Sequence, residues 1–172
     1  MDFLIQRGIE PGAKAYFSQD EKYRYRLERK LIPGLLDNQN GTILFIMLNP
    51  STADAFKPDP TITRCLGFTK KWGFNHLIVV NLFALRSTDP KVLKKDLNPV
   101  GEFNDRIISE SLRQVDFVVC AWGNHGSYQN RSKLVLENIN EAKVKPKCFG
   151  LTKQGEPLHP LYQRLDSILE PI

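Results

Sequence analysis

Thr42-Ile43-Leu44-Phe45-Ile46-Met47-Leu48, running straight into Asn49-Pro50-Ser51-Thr52-Ala53-Asp54, is the stretch that decides the fold. A short apolar run rich in β-branched and aromatic residues fits a strand buried on both faces, and it is too short for a buried helix. Its abrupt polar ending matters more. Ligands of open α/β sheets bind beyond the carboxyl ends of the strands, so residues 49–54 mark the expected site. Asp59-Pro60-Thr61 then opens a helix, with an acidic cap, proline at the first helical position and a polar first turn. The segment reads strand, long polar loop, helix.

The same order repeats downstream. The helix should run from about Pro60 to Trp72, with Ile62, Cys65, Leu66 and Thr69 at helical spacing and Gly73 able to end it. Leu77-Ile78-Val79-Val80 is the next buried strand and ends in Asn81. Phe117-Val118-Val119-Cys120-Ala121 runs into the glycine-bounded loop Trp122-Gly123-Asn124-His125-Gly126. A last strand, Lys147 to Leu151, gives way to Thr152-Lys153-Gln154-Gly155. Further helices are expected around Lys91 to Lys95, near Gly101 to Gln114, where Phe103, Ile107, Ile108 and Leu112 share a stripe, and over Arg131 to Glu141. Strands alternating with helices imply an α/β domain with a central, mainly parallel four-stranded sheet and right-handed crossovers. Upstream, Tyr23 to Arg29 alternates with period two, Tyr23, Tyr25 and Leu27 against Arg24, Arg26 and Glu28. That pattern predicts an extra N-terminal edge strand with a wet basic face. Residues 1–20 are then an extension of one domain spanning residues 1–172.

Composition narrows the function classes. A chain of 172 residues with 41% hydrophobic content can bury one sizeable core. The formal charge of +5 is a mild lean toward an anionic partner, nucleic acid or nucleotide. Cys65, Cys120 and Cys148 are isolated in apolar surroundings without Cys-x-x-Cys spacing, which points to neither a zinc site nor a disulfide framework and fits a reducing cytoplasm. Residues 1–10 lack a signal-peptide core, and no apolar run reaches membrane-spanning length, so a soluble cytoplasmic protein with no membrane partner is expected. No Gly-x-Gly-x-x-Gly, Walker loop or Gly-x-Ser-x-Gly elbow occurs, and the expectation is a protein with no cofactor and no metal.

Four strands in succession end in polar clusters: Asn49 with Ser51 and Asp54, Asn81 with Arg86, Trp122 with Asn124 and His125, and Thr152 with Lys153 and His159. In a parallel sheet these ends share one edge, which brings residues far apart in sequence together. The candidate catalytic residues are Asn49, His159, Asp54 and Asp59; the candidate substrate-binding residues are Pro50, Ser51, Asn81, Arg64, Arg86, Trp122 and Lys153. Each also has a plain structural reading. Asn49 before proline can hold a turn, Asp59 can cap a helix, and Asn81 can bond a neighbouring backbone. Arg64 and Arg86 can be solvated charges or bidentate phosphate holders, Trp122 can be a packing residue, and His159 can be a turn residue.

Two resemblances follow from these residues. Leu48-Asn49-Pro50-Ser51-Thr52-Ala53-Asp54, Asp59-Pro60-Thr61, Asn81-Leu82-Phe83-Ala84 with Arg86-Ser87-Thr88, Asn104-Asp105, Ala121-Trp122-Gly123 and His159-Pro160-Leu161-Tyr162 resemble a bacterial family catalogued as domain of unknown function 1643. That likeness covers about residues 20–165 and implies no reaction. More distantly, Asn49-Pro50, Val79-Val80-Asn81-Leu82, Ala121-Trp122-Gly123 and His159-Pro160-Leu161 are similar to four landmarks of the uracil-DNA glycosylase superfamily, in the same order. This second resemblance implies an α/β fold with a four-stranded parallel sheet and cleavage of an N-glycosidic bond in nucleic acid, DNA favoured over RNA, after base flipping. Asn49, helped by Asp54 or Asp59, would position water, Asn81 would read the base and His159 would stabilise its departure. Leu161 stands where that superfamily has serine, and the insertion from Ser51 to Pro58 has no counterpart there. Phe56, Phe68 or Phe83 would supply a stacking face. The competing expectations are a hydrolase or transferase acting on a free nucleotide or nucleoside, and a non-catalytic nucleic-acid-binding or interaction module.

Overall fold

The computed structural model describes residues 3–31 and 40–172. The apolar runs form strands where their side chains can be covered on both faces. These are β4 (Thr42–Met47), β5 (His76–Asn81), β6 (Phe117–Cys120) and β7 (Lys147–Cys148). Parallel pairing joins β5 to β4, β4 to β6 and β6 to β7, so the four strands are contiguous and point the same way. Lys147 to Leu151 is shorter than expected as a strand. Gly150, at φ +114°, turns the chain after Cys148, in a backbone region that favours glycine.

The full sheet is larger than the sequence suggested. It has eight strands in the order β1-β2-β3-β5-β4-β6-β7-β8, adding β1 (Leu4–Arg7), β2 (Lys14–Phe17), β3 (Arg24–Lys30) and β8 (Glu170–Pro171). All the added strands pair antiparallel, which makes the sheet mixed and, by number of pairings, mostly antiparallel. The expectation of a mainly parallel four-stranded sheet with one edge strand is corrected accordingly. The strands β1, β2 and β8 are short, and their partners, not their own periodicity, hold them extended.

Among the described residues, three α-helices cover the two faces. Helix α1 (Pro60–Lys71) is capped by Asp59, whose carboxylate accepts from the Ile62 N–H at 2.8 Å. It packs Ile62, Cys65 and Phe68 against Ile43, Phe45, Met47, Leu77 and Val79. Helices α2 (Asn104–Leu112) and α3 (Arg131–Glu141) cover the other face, where Ile107, Ile108, Leu112, Val135 and Ile139 meet Leu44, Ile46, Ile78 and Val80. Strict alternation along β4 thus feeds two cores, one on each side of a single sheet. A short 3₁₀ segment, Pro90–Lys94, replaces the expected helix around Lys91 to Lys95.

Strand β3 departs furthest from its sequence reading. It lies between β2 and β5, so it is not an edge strand. Its basic face is not wet either: Arg24 and Glu28 are buried and Arg26 is half-buried. The partner register advances by one residue from Tyr16↔Arg26 to Phe17↔Arg24 while β3 advances by two, leaving Tyr25 as the extra residue of a β-bulge. A bulge puts two successive residues on one side and reverses the alternation beyond it. Tyr25 accordingly joins the core under α2, Leu27 the core under α1, and Arg24 is turned toward the carboxyl edge of the sheet.

Candidate active site

A cleft of about 500 Å³ opens at that edge, at the carboxyl ends of β4 and β6. Its walls combine the loop after β4 (Asn49, Ser51), the start of α1 (Asp59, Thr61), the turn after β6 (Trp122, Asn124, His125) and the last loop (His159, Tyr162). Met47, Leu48 and Ile62 add apolar surface, and Ser87 and Thr88 add hydroxyls from the loop beyond β5. The convergence expected from the polar strand endings is therefore present for three of the four strand-end loops, with the β5 end represented by Ser87 and Thr88.

Asn49 is held by the loop beyond β5. Its amide nitrogen donates to the Pro50 carbonyl at 3.1 Å and the Ser87 carbonyl at 2.8 Å. With both amide hydrogens committed, its oxygen is the atom left to act on a ligand, as an acceptor. His159 is placed by a relay of contacts from β6. The Trp122 indole N–H donates to Glu156 at 2.5 Å, Ser132 donates to the other Glu156 oxygen at 2.9 Å, and the Gly123 N–H donates to the Pro157 carbonyl at 2.8 Å. Those bonds seat the turn that leads into His159. There Nδ1 accepts from the Leu161 N–H at 3.4 Å and begins the 3₁₀ segment Pro160–Tyr162. Burial pushes the imidazole below its ordinary pKa, against the opposing pull of Asp59. The ring is neutral at pH 7, and with Nδ1 an acceptor its proton sits on Nε2, ready to donate.

Asp59 has two duties. It caps α1 and also lines the cleft. Asp54 lies outside the cleft; its carboxylate accepts from the Phe56 and Lys57 N–H groups at 2.8 Å each and closes the 54–57 turn. Arg86 is likewise occupied elsewhere, donating to the Glu21 carbonyl at 3.0 Å and stacking over Phe17 at 4.9 Å. Arg64 lines a separate shallow groove with Leu161 and Leu165, Pro50 is buried, and Lys153 is exposed on the turn at 152–155.

Asn81 is buried at 1% exposure and is not among the residues lining the cleft. It pairs in register with Met47, which does line it. Both polar atoms of its carboxamide lack a hydrogen-bond partner, an unusual state for a buried amide. Its backbone carbonyl, in contrast, is engaged: Asn104 donates to it at 2.9 Å and to the Leu82 carbonyl at 3.0 Å. Phe68 and Phe83 are core residues, Phe56 faces a different groove and Trp122 is buried behind the cleft wall, so the exposed aromatic ring of the cleft, histidines aside, is that of Tyr162.

Sequence reasoning missed Arg24 and Glu156. Arg24 was hidden because the bulge inverts the alternation from which its exposure was inferred. Glu156 sits in a turn whose sequence carries no signal that its carboxylate would be buried under Trp122. Among the described residues no group of three or more His, Cys, Asp or Glu side chains could hold a metal ion. Cys65, Cys120 and Cys148 are free and buried, and burial raises each thiol above its ordinary range. No helix among the described residues is long and apolar enough to cross a membrane.

The family model for a protein of unknown function, DUF1643, matches residues 24–161, most of the chain. No curated protein and no solved structure matches it.

Proposed function

The chain belongs to this family of proteins of unknown function, DUF1643, and from the cleft we propose that it hydrolyses the N-glycosidic bond of a nucleotide unit in nucleic acid. The observation that carries the reading is that Asn49, Asp59 and His159, from three separate elements, line one cleft, with His159 neutral and its Nε2–H free to donate. Breaking the bond leaves cationic character on the sugar and negative charge on the departing base. A site for this reaction needs an acceptor for water and a donor for the base. Asn49 Oδ1 would orient the water, whose oxygen forms the new bond to the sugar carbon. Asp59 would take the water proton and offset the developing sugar charge. The electron pair of the broken bond goes to the base, and His159 Nε2–H would stabilise it there. Tyr162 offers exposed ring surface on which an extruded base could stack, and the cleft volume is ample for one nucleotide.

The likeness to uracil-DNA glycosylases supports the reading through the order of Asn49-Pro50, Asn81, Trp122-Gly123 and His159-Pro160 along four parallel strands. The role first expected of Asn81 changes. It would read a base only if the base reached the strand floor beside Met47. One observation favours a second reading, hydrolysis of a free nucleotide: among the described residues Arg24 is the one basic side chain other than histidine that lines the cleft, and it is buried, so the lining they form has no exposed basic track for a polymer. The test incubates the protein with oligonucleotides carrying uracil, hypoxanthine, mismatched or hypermodified bases, and in parallel with nucleosides and nucleotides. Free base released from oligonucleotides upholds the first reading, and release from monomers alone moves it to the second. No release from any substrate rejects both.

A further inference from the structure

We infer that the cleft contains a built anion subsite, made by the Arg24 guanidinium and the first turn of α1, that binds the phosphate of a nucleotide substrate. Arg24 lines the cleft yet is only 2% exposed, and its Nε has no hydrogen-bond partner. Its Nη1 donates to the Ala53 carbonyl, a neutral acceptor. No carboxylate lies within ion-pair distance of it among the described residues; Arg26, Arg86, Arg106, Arg131 and Arg164 all have one. Burial lowers its pKa to about 10, with Asp59 partly offsetting the shift, so it stays charged at neutral pH. A buried cation with an unpaired donor is costly unless something complements it.

The second component is the helix start. Pro60 has no N–H, Asp59 takes the Ile62 N–H, and the Asp59 carbonyl takes the Thr63 N–H. The Thr61 N–H is left as the first-turn donor without a helical acceptor, and Thr61 lines the same cleft. The hydroxyls of Thr61 and Thr88 belong to the same lining, whereas the Ser87 hydroxyl is spent on the Asp89 carbonyl. A guanidinium, an orphan helical N–H and hydroxyls suit a phosphate oxygen set, and the β3 bulge is the device that delivers the guanidinium. This inference rests on the proposed nucleotide chemistry for the rest of the substrate, but it is tested by binding and not by turnover.

The experiment titrates inorganic phosphate into the isotopically labelled full chain and follows the Arg24 Nε–H and Thr61 amide resonances. Calorimetry then compares a nucleoside, its monophosphate and a short oligonucleotide. Saturable shifts of both resonances are expected, with the monophosphate or the oligonucleotide binding at least about tenfold more tightly than the nucleoside. The tighter of those two ligands identifies the source of the phosphate. In Arg24→Gln that preference should vanish, and Arg24→Lys should keep part of it. Resonances that stay fixed at high phosphate overturn the subsite, as does a nucleoside that binds as tightly as both phosphorylated ligands. The resonance titration decides the matter even if Arg24→Gln fails to fold. Phosphate-dependent binding without base release would sink the hydrolase reading and leave the subsite standing; base release indifferent to phosphate would do the reverse.

Discussion

The carboxyl ends of the neighbouring strands β4 and β5 are finished in opposite ways. Beyond β5, the Asn81 and Leu82 carbonyls are taken by Asn104, and Leu82 also receives the Arg131 Nε–H at 3.1 Å. Arg131 forms a two-pronged pair with Asp105, so its charge is answered. Beyond β4, Arg24 is also buried, yet it donates to the Ala53 carbonyl and has no carboxylate partner among the described residues. One end is a polar clamp on backbone carbonyls, with the Asn81 carboxamide and Asn104 Oδ1 sealed unpartnered inside it, and the other is an open cleft with an unmatched cationic donor on its wall. Side chains that look alike in the sequence thus divide into those that hold a loop still and those left ready for a ligand. Asn104-Asp105 belongs to the first group, Asn49 and His159 to the second.

The largest effect should come from the open end. Losing one donor aimed at developing charge lowers turnover by about a hundred to a thousandfold. His159→Ala should therefore abolish most base release, and Asn49→Ala should do the same by misplacing water. Both residues are only partly buried, so the urea midpoint should move little. An equal loss of stability and activity would mean that this end too is architecture.

The clamp should behave in the converse manner. Arg131→Met removes the two-pronged pair with Asp105 and the donor to Leu82. Hydrogen bonds to a charged, buried group are each worth about 1.5–3 kcal/mol, so the variant should lose about 3 kcal/mol in urea unfolding. Whatever stays folded should retain its turnover. A large activity loss in a fully folded Arg131→Met protein would break the division between the two ends.

Acid should act on the open end and on strand β3 in separate windows. Glu28, on the other face of β3, loses solvation by burial, yet the hydrogen bond from His76 and the charge of Arg26 hold it at about 2, below its ordinary 4.5. The unfolded chain binds the proton first, so this stabilisation is intact above about pH 4.5 and is lost as pH falls toward 2, on the order of 2 kcal/mol in all. His159 is a base held below its ordinary value by burial. The unfolded chain again binds the proton first, and stability begins to fall as pH drops below 6.5. Denaturant unfolding across this range should show two declines, and His159→Gln should remove the upper one alone.

How much of this was legible in the sequence follows from where the information sits. Strands β4, β5 and β6 and helix α1 were readable because burial on both faces and a capping motif are written in contiguous residues. The strands β1, β2 and β8 were not, because four-residue and two-residue segments take their conformation from partners. The cleft's lining was legible in part through a rule of strand endings, which pointed to Asn49, Trp122 and His159, while the capping motif pointed to Asp59. The rule misjudged Asn81, whose side chain belongs to the last position inside β5 and so remains in the floor. Asp54 and Arg86 lie away from the cleft for another reason: bonds within the 54–57 turn absorb the first and a contact with distant Glu21 absorbs the second, and no periodicity encodes such bonds.

The smallest predicted effect is the sharpest control on the clamp. Arg106 sits one residue from Asp105 and pairs with Glu110 one turn along α2, at 2.7 Å and largely in water. An exposed pair of this spacing gains little, because solvent screens it and holding two long side chains costs entropy; such pairs are worth about 0.3–0.5 kcal/mol. Arg106→Gln should therefore shift the urea midpoint by an amount near the limit of detection, and adding salt should shrink even that. Arg131, reaching the same acidic neighbourhood from α3, should remain several times more costly to lose and far less sensitive to salt, because its side chain is 5% exposed and its acceptors include the buried end of β5. If the two substitutions cost the same, the Asp105 pair is a surface ion pair, the end of β5 is not clamped by charge, and the contrast with the open end of β4 must rest on Asn104 alone.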